Sequence, residues 1–390
     1  MPDPRPLPIL LTQGFRPFFL AAAAWAAVAL ALWMAMWFAG LALPSRFDPM
    51  AWHIHEMLFG FVMAAVAGFL LTAIPNWTGR LPLKGAPLAL LAALWLIGRL
   101  ACLASAWMPL WLAVAADLSF TIFLVAVAAR EIVAGRHWRG LPMVVPVTVL
   151  GTANLLMHLE AGPFPGLAGL GWRLGLVAAL ILISVIGGRI IPSFTRNWQM
   201  KRGETPLPAP PGGVDKMALG FLQPALLIWA FLPGWGIVGA LLLAAGLLQA
   251  IRLARWNGWR TTEEPLLLSL HVGYGWMAAG VGLLGLSTLT AAVPPPAAIH
   301  ALTAGAIGVM IVAVTTRACR GHTGNALTAD RATVILYALV NMAALLRVLG
   351  GFGLLPALLI GLAAAAWIAA FSLFILRYGP MLTRPRAQST

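Results

Sequence analysis

Charge is scarce in this sequence. Only 25 basic and 11 acidic side chains occur among 390 residues, too few to keep the surface of a soluble domain of this length wet. Cysteine is nearly absent as well. Cys102 and Cys319 are not spaced as a CxxC pair, which excludes a disulfide framework and a dithiol redox motif. No P-loop, nucleophile elbow, dinucleotide fingerprint or HExxH stands anywhere in the chain, so hydrolysis and nucleotide-driven transport have no visible machinery. No pattern for binding RNA or DNA occurs either, and the formal charge of +14 therefore needs an explanation other than nucleic acid. Long polar stretches are missing, which leaves no room for a soluble domain. The first apolar run is long and lacks a convincing cleavage site, so it is expected to stay as a span.

Apolar sequence is abundant instead. Hydrophobic residues make up 61% of the chain and its mean hydropathy is +0.91. Runs of about 20 residues recur throughout, each long enough to cross a hydrocarbon core. They are continuous rather than alternating, which selects helices over a β-barrel. The expected fold is all-α, a polytopic integral membrane protein with the lipid bilayer as its first partner. Twelve spans are read as Pro17–Gly40, His53–Pro75, Ala86–Ser105, Pro109–Arg130, Leu141–Glu160 and Trp172–Pro192 in the first half. The second half gives Lys216–Leu232, Trp235–Arg252, Glu264–Thr290, Ala297–Arg317, Asp330–Leu349 and Leu354–Arg377. One transmembrane domain is expected, with six spans within residues 1–192, a Pro- and Gly-rich loop at 193–215, and six spans within 216–390.

Basic residues test that count. With these spans, 21 of the 25 Lys and Arg residues fall on one side, and only Arg46, Arg99, Arg173 and Arg347 on the other. Adding or dropping a span would scramble the asymmetry. The positive side is read as cytoplasmic, which puts both termini there and the chain in a bacterial inner membrane. Cys102 and Cys319 then lie at opposite faces, and a disulfide between them is not expected.

An internal repeat is also visible. Shifted without a gap, His55 meets His300, Gly60 meets Gly305, Thr78 meets Thr323 and Gly79 meets Gly324. Span six shares the exit pattern, Ile191-Pro192-Ser193-Phe194-Thr195 against Ile74-Pro75-Asn76-Trp77-Thr78. Spans two, six and ten are four apart, which suggests a pseudo-threefold repeat of four-helix units.

The chemistry-bearing residues gather at one face. His53, His55, His158 and His300 all stand at outer ends of spans, while His271 lies about 9 Å inside span nine and His137 and His322 are in cytoplasmic loops. A single such histidine is ordinarily an interfacial polar group. Four in one leaflet point to a metal or haem site, with Glu56 and Glu160 as candidates to fix the imidazole tautomers. His53 and His55 project about 200° apart if both are helical, so they could serve two cofactors; if the chain is still extended there, they could share one. Asp117 inside span four is a costly intramembrane carboxylate, read as a proton relay, as a partner for Arg99, or as a protonated acid satisfied by Ser119. Met34, Met36, Met63 and Met310 could soften a copper site, although filling gaps between helices is the commoner use.

Three blocks carry a family resemblance. They are Trp52-His53-Ile54-His55-Glu56-Met57-Leu58-Phe59-Gly60 with Pro75-Asn76-Trp77-Thr78-Gly79; Gly188-Arg189-Ile190-Ile191-Pro192-Ser193-Phe194-Thr195-Arg196-Asn197-Trp198; and His300-Ala301-Leu302-Thr303 through Gly321-His322-Thr323-Gly324. Together they resemble the NnrS family over nearly the whole chain. The resemblance implies a bacterial inner-membrane protein that binds haem of b type and copper, with a role in denitrification or nitrosative-stress defence. Nitric oxide is then the small-molecule ligand and an electron donor the implied partner. By the resemblance the family's ligands would fall on His53, His55 and His300, with His271 and His322 as further motif-like positions. A weaker architectural likeness is to haem–copper oxidases, which hold a haem between histidines of spans two and ten; this chain lacks their histidine set around span six.

These readings assign His55 and His300 as axial ligands of one haem, His271 to a second haem or metal, and His53 with His158 to copper. The competing function is a secondary transporter for a metal or haem, favoured by the six-plus-six organisation. The topology is tested by cysteine labelling. Single cysteines at positions 161 and 295 are expected to react with an impermeant reagent from outside and one at position 212 is not; outside access at 212 would overturn the orientation.

Overall fold

The computed structural model describes residues 7–386 except residue 168, so Arg5 of the basic count lies outside the described residues. Among the described residues there is no β-strand, and twelve helices are long and apolar enough to cross a membrane. They run Phe15–Ala39, Pro49–Thr78, Ala86–Leu103, Leu110–Ala134, Gly140–Glu160 and Leu170–Lys201, then Gly213–Phe231, Gly236–Arg260, Pro265–Leu289, Pro295–His322, Arg331–Gly351 and Pro356–Thr383. We number them spans one to twelve. Each matches one run read from the sequence, and the chain is an integral membrane protein.

Two ends differ because proline reads as a stop in the sequence. Pro75 and Pro192 lie inside their helices, which continue to Thr78 and Lys201. Proline is tolerated inside membrane helices because neighbouring groups satisfy the backbone it disturbs. The connection expected at 193–215 is therefore helical as far as Lys201.

Contacts divide the chain into two compact units. The first holds the chain up to Gly175 with Ala318–Ala326 and the stretch from Phe374 onward; the second holds Leu176–Arg317 with Leu327–Leu373. The border falls inside span six, not in the connection after it. In the first unit span three pairs with span four and span one with span two, and in the second span eight pairs with spans seven and nine.

Spans two, six and ten share features that the outer helices lack. Their most apolar stretches are 72%, 67% and 67% buried, against 33–44% for spans one, three, four and five. Each also contains a π-helical segment, Glu56–Val62, Ile183–Gly187 and Ala301–Gly308. The π turn is rare and concentrates at functional sites. The first and third of these begin at the residue after His55 and after His300, the positions that the sequence repeat superposes. Two more equivalences follow the same register. Gly60 lies against Trp25 and Gly305 against Trp276, so closely that a Cβ at position 305 would stand 2.7 Å from the indole ring. Gly79 and Gly324 both adopt left-handed backbone, with φ of 70° and 77°. Side chains from neighbouring spans reach carbonyls in two of the π segments: Trp95 donates to Gly60 O at 3.0 Å, and Arg252 to Ser184 O at 3.0 Å.

The glycine at 305 is thus a packing requirement of span nine against span ten. Gly305→Leu should destabilise the protein by about 1–3 kcal/mol through overpacking. Gly220→Ala, where a Cβ meets nothing within 4 Å, should be neutral or slightly stabilising. Thermal unfolding in detergent measures both, and equal midpoints for the two variants would contradict this packing.

Candidate metal centre

Polar side chains from spans two, three, four and five meet inside the first unit. Span two brings His55 and Glu56, the last residue before its π segment and the first within it. Span three brings Arg99 and Cys102, three residues apart and so on one face. Span four brings Asp117, and span five brings Asn154 and His158, four residues apart on one face. All seven are buried.

Arg99 is the hub. One guanidinium nitrogen, Nη1, donates to both Glu56 oxygens at 2.9 and 2.8 Å, while Nη2 is bound to Asp117 Oδ1. Trp25 of span one donates to Glu56 Oε2 at 2.7 Å, so that carboxylate is held from two sides. Asp117 packs so near span three that a Cβ on Gly98 would stand 2.7 Å from its Oδ1. Its other oxygen, Oδ2, accepts from Asn154 Nδ2 at 2.9 Å and from His158 Nε2 at 3.1 Å.

The protonation of His55 follows from its partners. Nδ1 faces Glu56 Oε1 at 3.0 Å, and Nε2 faces Asn154 Oδ1 at 2.8 Å and Asp117 Oδ2 at 3.2 Å. Every one of these is an acceptor, so the ring donates from both nitrogens and is an imidazolium. Two cations, Arg99 and His55, then balance two anions, Glu56 and Asp117. Such neutrality is what a charge cluster inside a bilayer requires. The rings of Phe47 and Phe59 lie 4.6 and 5.1 Å from that of His55, and the His158 ring lies 5.2 Å away, which closes the cluster with aromatic walls.

Four donors of this cluster suit a metal. Ligand atoms of His55, Cys102, Asp117 and His158 all lie within 4.8 Å of one another. Tetrahedral bonds of about 2.0–2.3 Å separate ligand atoms by roughly 3.3–3.8 Å, so shifts on the order of 1 Å would close the set on an ion. The orientation of His55 also fits. Nδ1–H on an anchored carboxylate with Nε2 turned to the other donors is the arrangement that commonly steadies a metal-bound histidine.

The other expected residues sit elsewhere. His158 lies against His55, whereas the His53 ring stacks on Trp33 of span one at 4.9 Å. The reason is rotation about span two: residues two apart face different neighbours, and Asn154 and His158 line the side of span five that meets Asp117. Arg99 and Asp117 are directly paired, and Ser119 bonds Ala116 O instead. Glu160 accepts from Gly171 N at 2.8 Å and takes no place in the cluster. His322 packs its ring 5.4 Å from that of Phe15.

His271 and His300 belong to the second unit. His271 Nε2 is 2.9 Å from Thr195 Oγ1, whose own proton goes to Ile191 O at 2.9 Å. Nε2–H must therefore donate, and Nδ1 keeps a buried lone pair. His300 Nδ1 donates to Pro296 O at 2.7 Å, which leaves the lone pair on Nε2. Both tautomers are thus fixed by neighbours, as metal-binding imidazoles require. A separate ion pair in this unit joins Arg252 to Asp215 at 2.8 Å, with Tyr274 and Gln249 completing its hydrogen bonds.

Cys102, Asn154 and Trp25 were not singled out from the sequence. Helical spacing was the available signal, since Cys102 follows Arg99 by three residues and Asn154 precedes His158 by four.

A sequence model of the NnrS protein family matches residues 9–386, nearly the whole chain. No curated protein matches the chain.

Removing the hub should be costly. Arg99→Met leaves two buried carboxylates against one imidazolium, and a loss of about 3–5 kcal/mol is expected. Arg99→Lys should recover only part of it, because one ammonium lacks the planar fork that reaches both carboxylates. Thermal unfolding of the purified variants checks the order wild type, Lys, Met; a Met variant as stable as wild type would contradict it.

Proposed function

Because the chain belongs to the NnrS family, we propose that it is a haem- and copper-containing protein of the bacterial inner membrane that handles nitric oxide in denitrification or nitrosative-stress defence. The observation that carries this reading is the buried cluster of His55, Cys102, Asp117 and His158. Its donors, two imidazoles, a thiol and a carboxylate, suit copper. Copper held there would supply a one-electron redox centre. The protein's own part is to orient the ligands. Glu56 pins Nδ1 of His55, Arg99 and Trp25 pin Glu56, and the aromatic walls keep water away.

Haem is assigned on different residues. His55 has both nitrogens on protein acceptors in a closed cluster, a setting that fits an ion better than a macrocycle, so we give His55 to copper. His300 and His271, each with a tautomer fixed by a neighbour, are the proposed haem ligands. Each stands near the start of its span, and because spans nine and ten cross in opposite directions the two histidines lie at opposite faces and would serve separate haems. His53, stacked on Trp33, is left in this reading as a neighbour of the centre. Nitric oxide is small and apolar and reaches buried centres through the bilayer, which accounts for the lack of a charged entrance. The same asymmetry of basic residues supports cytoplasmic termini.

Absorption spectra and metal analysis of the detergent-purified protein test the proposal. A haem Soret band with stoichiometric copper is expected. His158→Ala should lose copper and keep haem, and His300→Ala should keep copper and lose one of the two haems. Wild-type protein that carries neither would overturn the reading in favour of a transporter.

A further inference from the structure

Resting on that reading of the centre, we propose that Cys102 is a thiolate ligand, which makes the site a two-histidine, one-cysteine copper centre built for electron transfer rather than for binding gas. Cys102 is a free thiol, fully buried, and its sulfur lies within 4.8 Å of the donor atoms of His55, His158 and Asp117. A buried cysteine alone is ordinarily a small apolar filler. This one shares a face of span three with Arg99, at the point where that helix meets three other donors.

The four donors are not equivalent, and their inequality decides the type of site. Asp117 is already committed. Arg99 Nη2 holds Oδ1, and Asn154 Nδ2 holds Oδ2 at 2.9 Å. Neither partner is a metal donor, so both stay on the carboxylate when an ion enters, and its oxygens are left as weak ligands. Two imidazoles and a sulfur are then the strong set. Three strong donors of this kind with a weak fourth describe an electron-transfer copper site, whereas structural zinc takes four strong donors. Phe47 packs against the rings of His55 and His158 and Phe59 against that of His55, so apolar rings line the cluster on the side of both imidazoles.

The binding step balances simply. Copper(II) would bond to Cys102 sulfur as the S–H bond breaks, to His55 Nε2 as that nitrogen gives up its proton, and to the ring nitrogen of His158 that carries no proton, its Nε2–H staying on Asp117. Two protons leave for solvent and no electron moves.

The test is optical and uses full-length protein in detergent, loaded with copper(II) under anaerobic conditions. Wild type should show an intense visible sulfur-to-copper charge-transfer band. Cys102→Ser should lose that band while still binding copper through the two histidines. X-ray absorption at the copper edge of wild type should find a sulfur neighbour, a result that does not depend on the variant folding. Copper bound without the band and without a sulfur neighbour would overturn the thiolate and leave the metal reading intact. A wild type that binds no copper at all would overturn both.

Discussion

A guanidinium bridging two carboxylates inside a bilayer is the constraint from which the first unit follows. Arg99 cannot be buried alone, and neither can Glu56 or Asp117, because the hydrocarbon offers no water to any of them. Once they are joined, three spans are fixed in depth and rotation. Span two must turn Glu56 inward, span four must lie close enough to Gly98 for Asp117 to reach, and span three must present both Arg99 and Cys102. His55 is then carried to the same place, since it is next to Glu56 at the head of a π segment. His158 follows through Asp117. The candidate centre is therefore a consequence of satisfying charge, and its ligands are positioned before any ion arrives.

The π segments give this arrangement a wider meaning. Spans two and ten widen at superposable positions, just after His55 and just after His300, and each then presses a glycine against a tryptophan. The residues that superpose in the sequence thus share backbone geometry as well. What differs between the copies is the polar lining. Span two follows its histidine with Glu56, span ten with Ala301. One copy builds an ionic cluster around its histidine, and the other fixes its histidine with a backbone carbonyl. Duplicated scaffolds that carry different polar residues are a natural basis for two kinds of cofactor in one chain.

Much of the fold was legible because hydropathy is a strong signal over about 20 residues and the basic residues check the count. Helix ends were less so. Pro75 and Pro192 read as stops, yet both lie inside helices, and the stretch Ser193–Lys201 looked like a loop because its polarity matched one. The centre was half visible. Arg99, Asp117, Glu56, His55 and His158 each drew attention as polar residues in apolar surroundings. Their grouping did not, because grouping depends on which faces of four helices meet. Cys102 was weighed only for a disulfide, and its place beside His55 needed the rotation of span three relative to span two. The partner of His158 depended on the same information: depth alone could not distinguish His53 from His55, while rotation separates them.

In the proposed centre the buried side chains of spans two to five converge on one metal ion. Anomalous diffraction from crystals of the purified protein, collected on either side of the copper edge, addresses it most directly. A single copper peak among His55, Cys102, Asp117 and His158 is the result expected. A peak elsewhere, with His55 still donating to both Glu56 and Asn154, would show that the cluster is a charge lock between helices and that the metal is held by other residues.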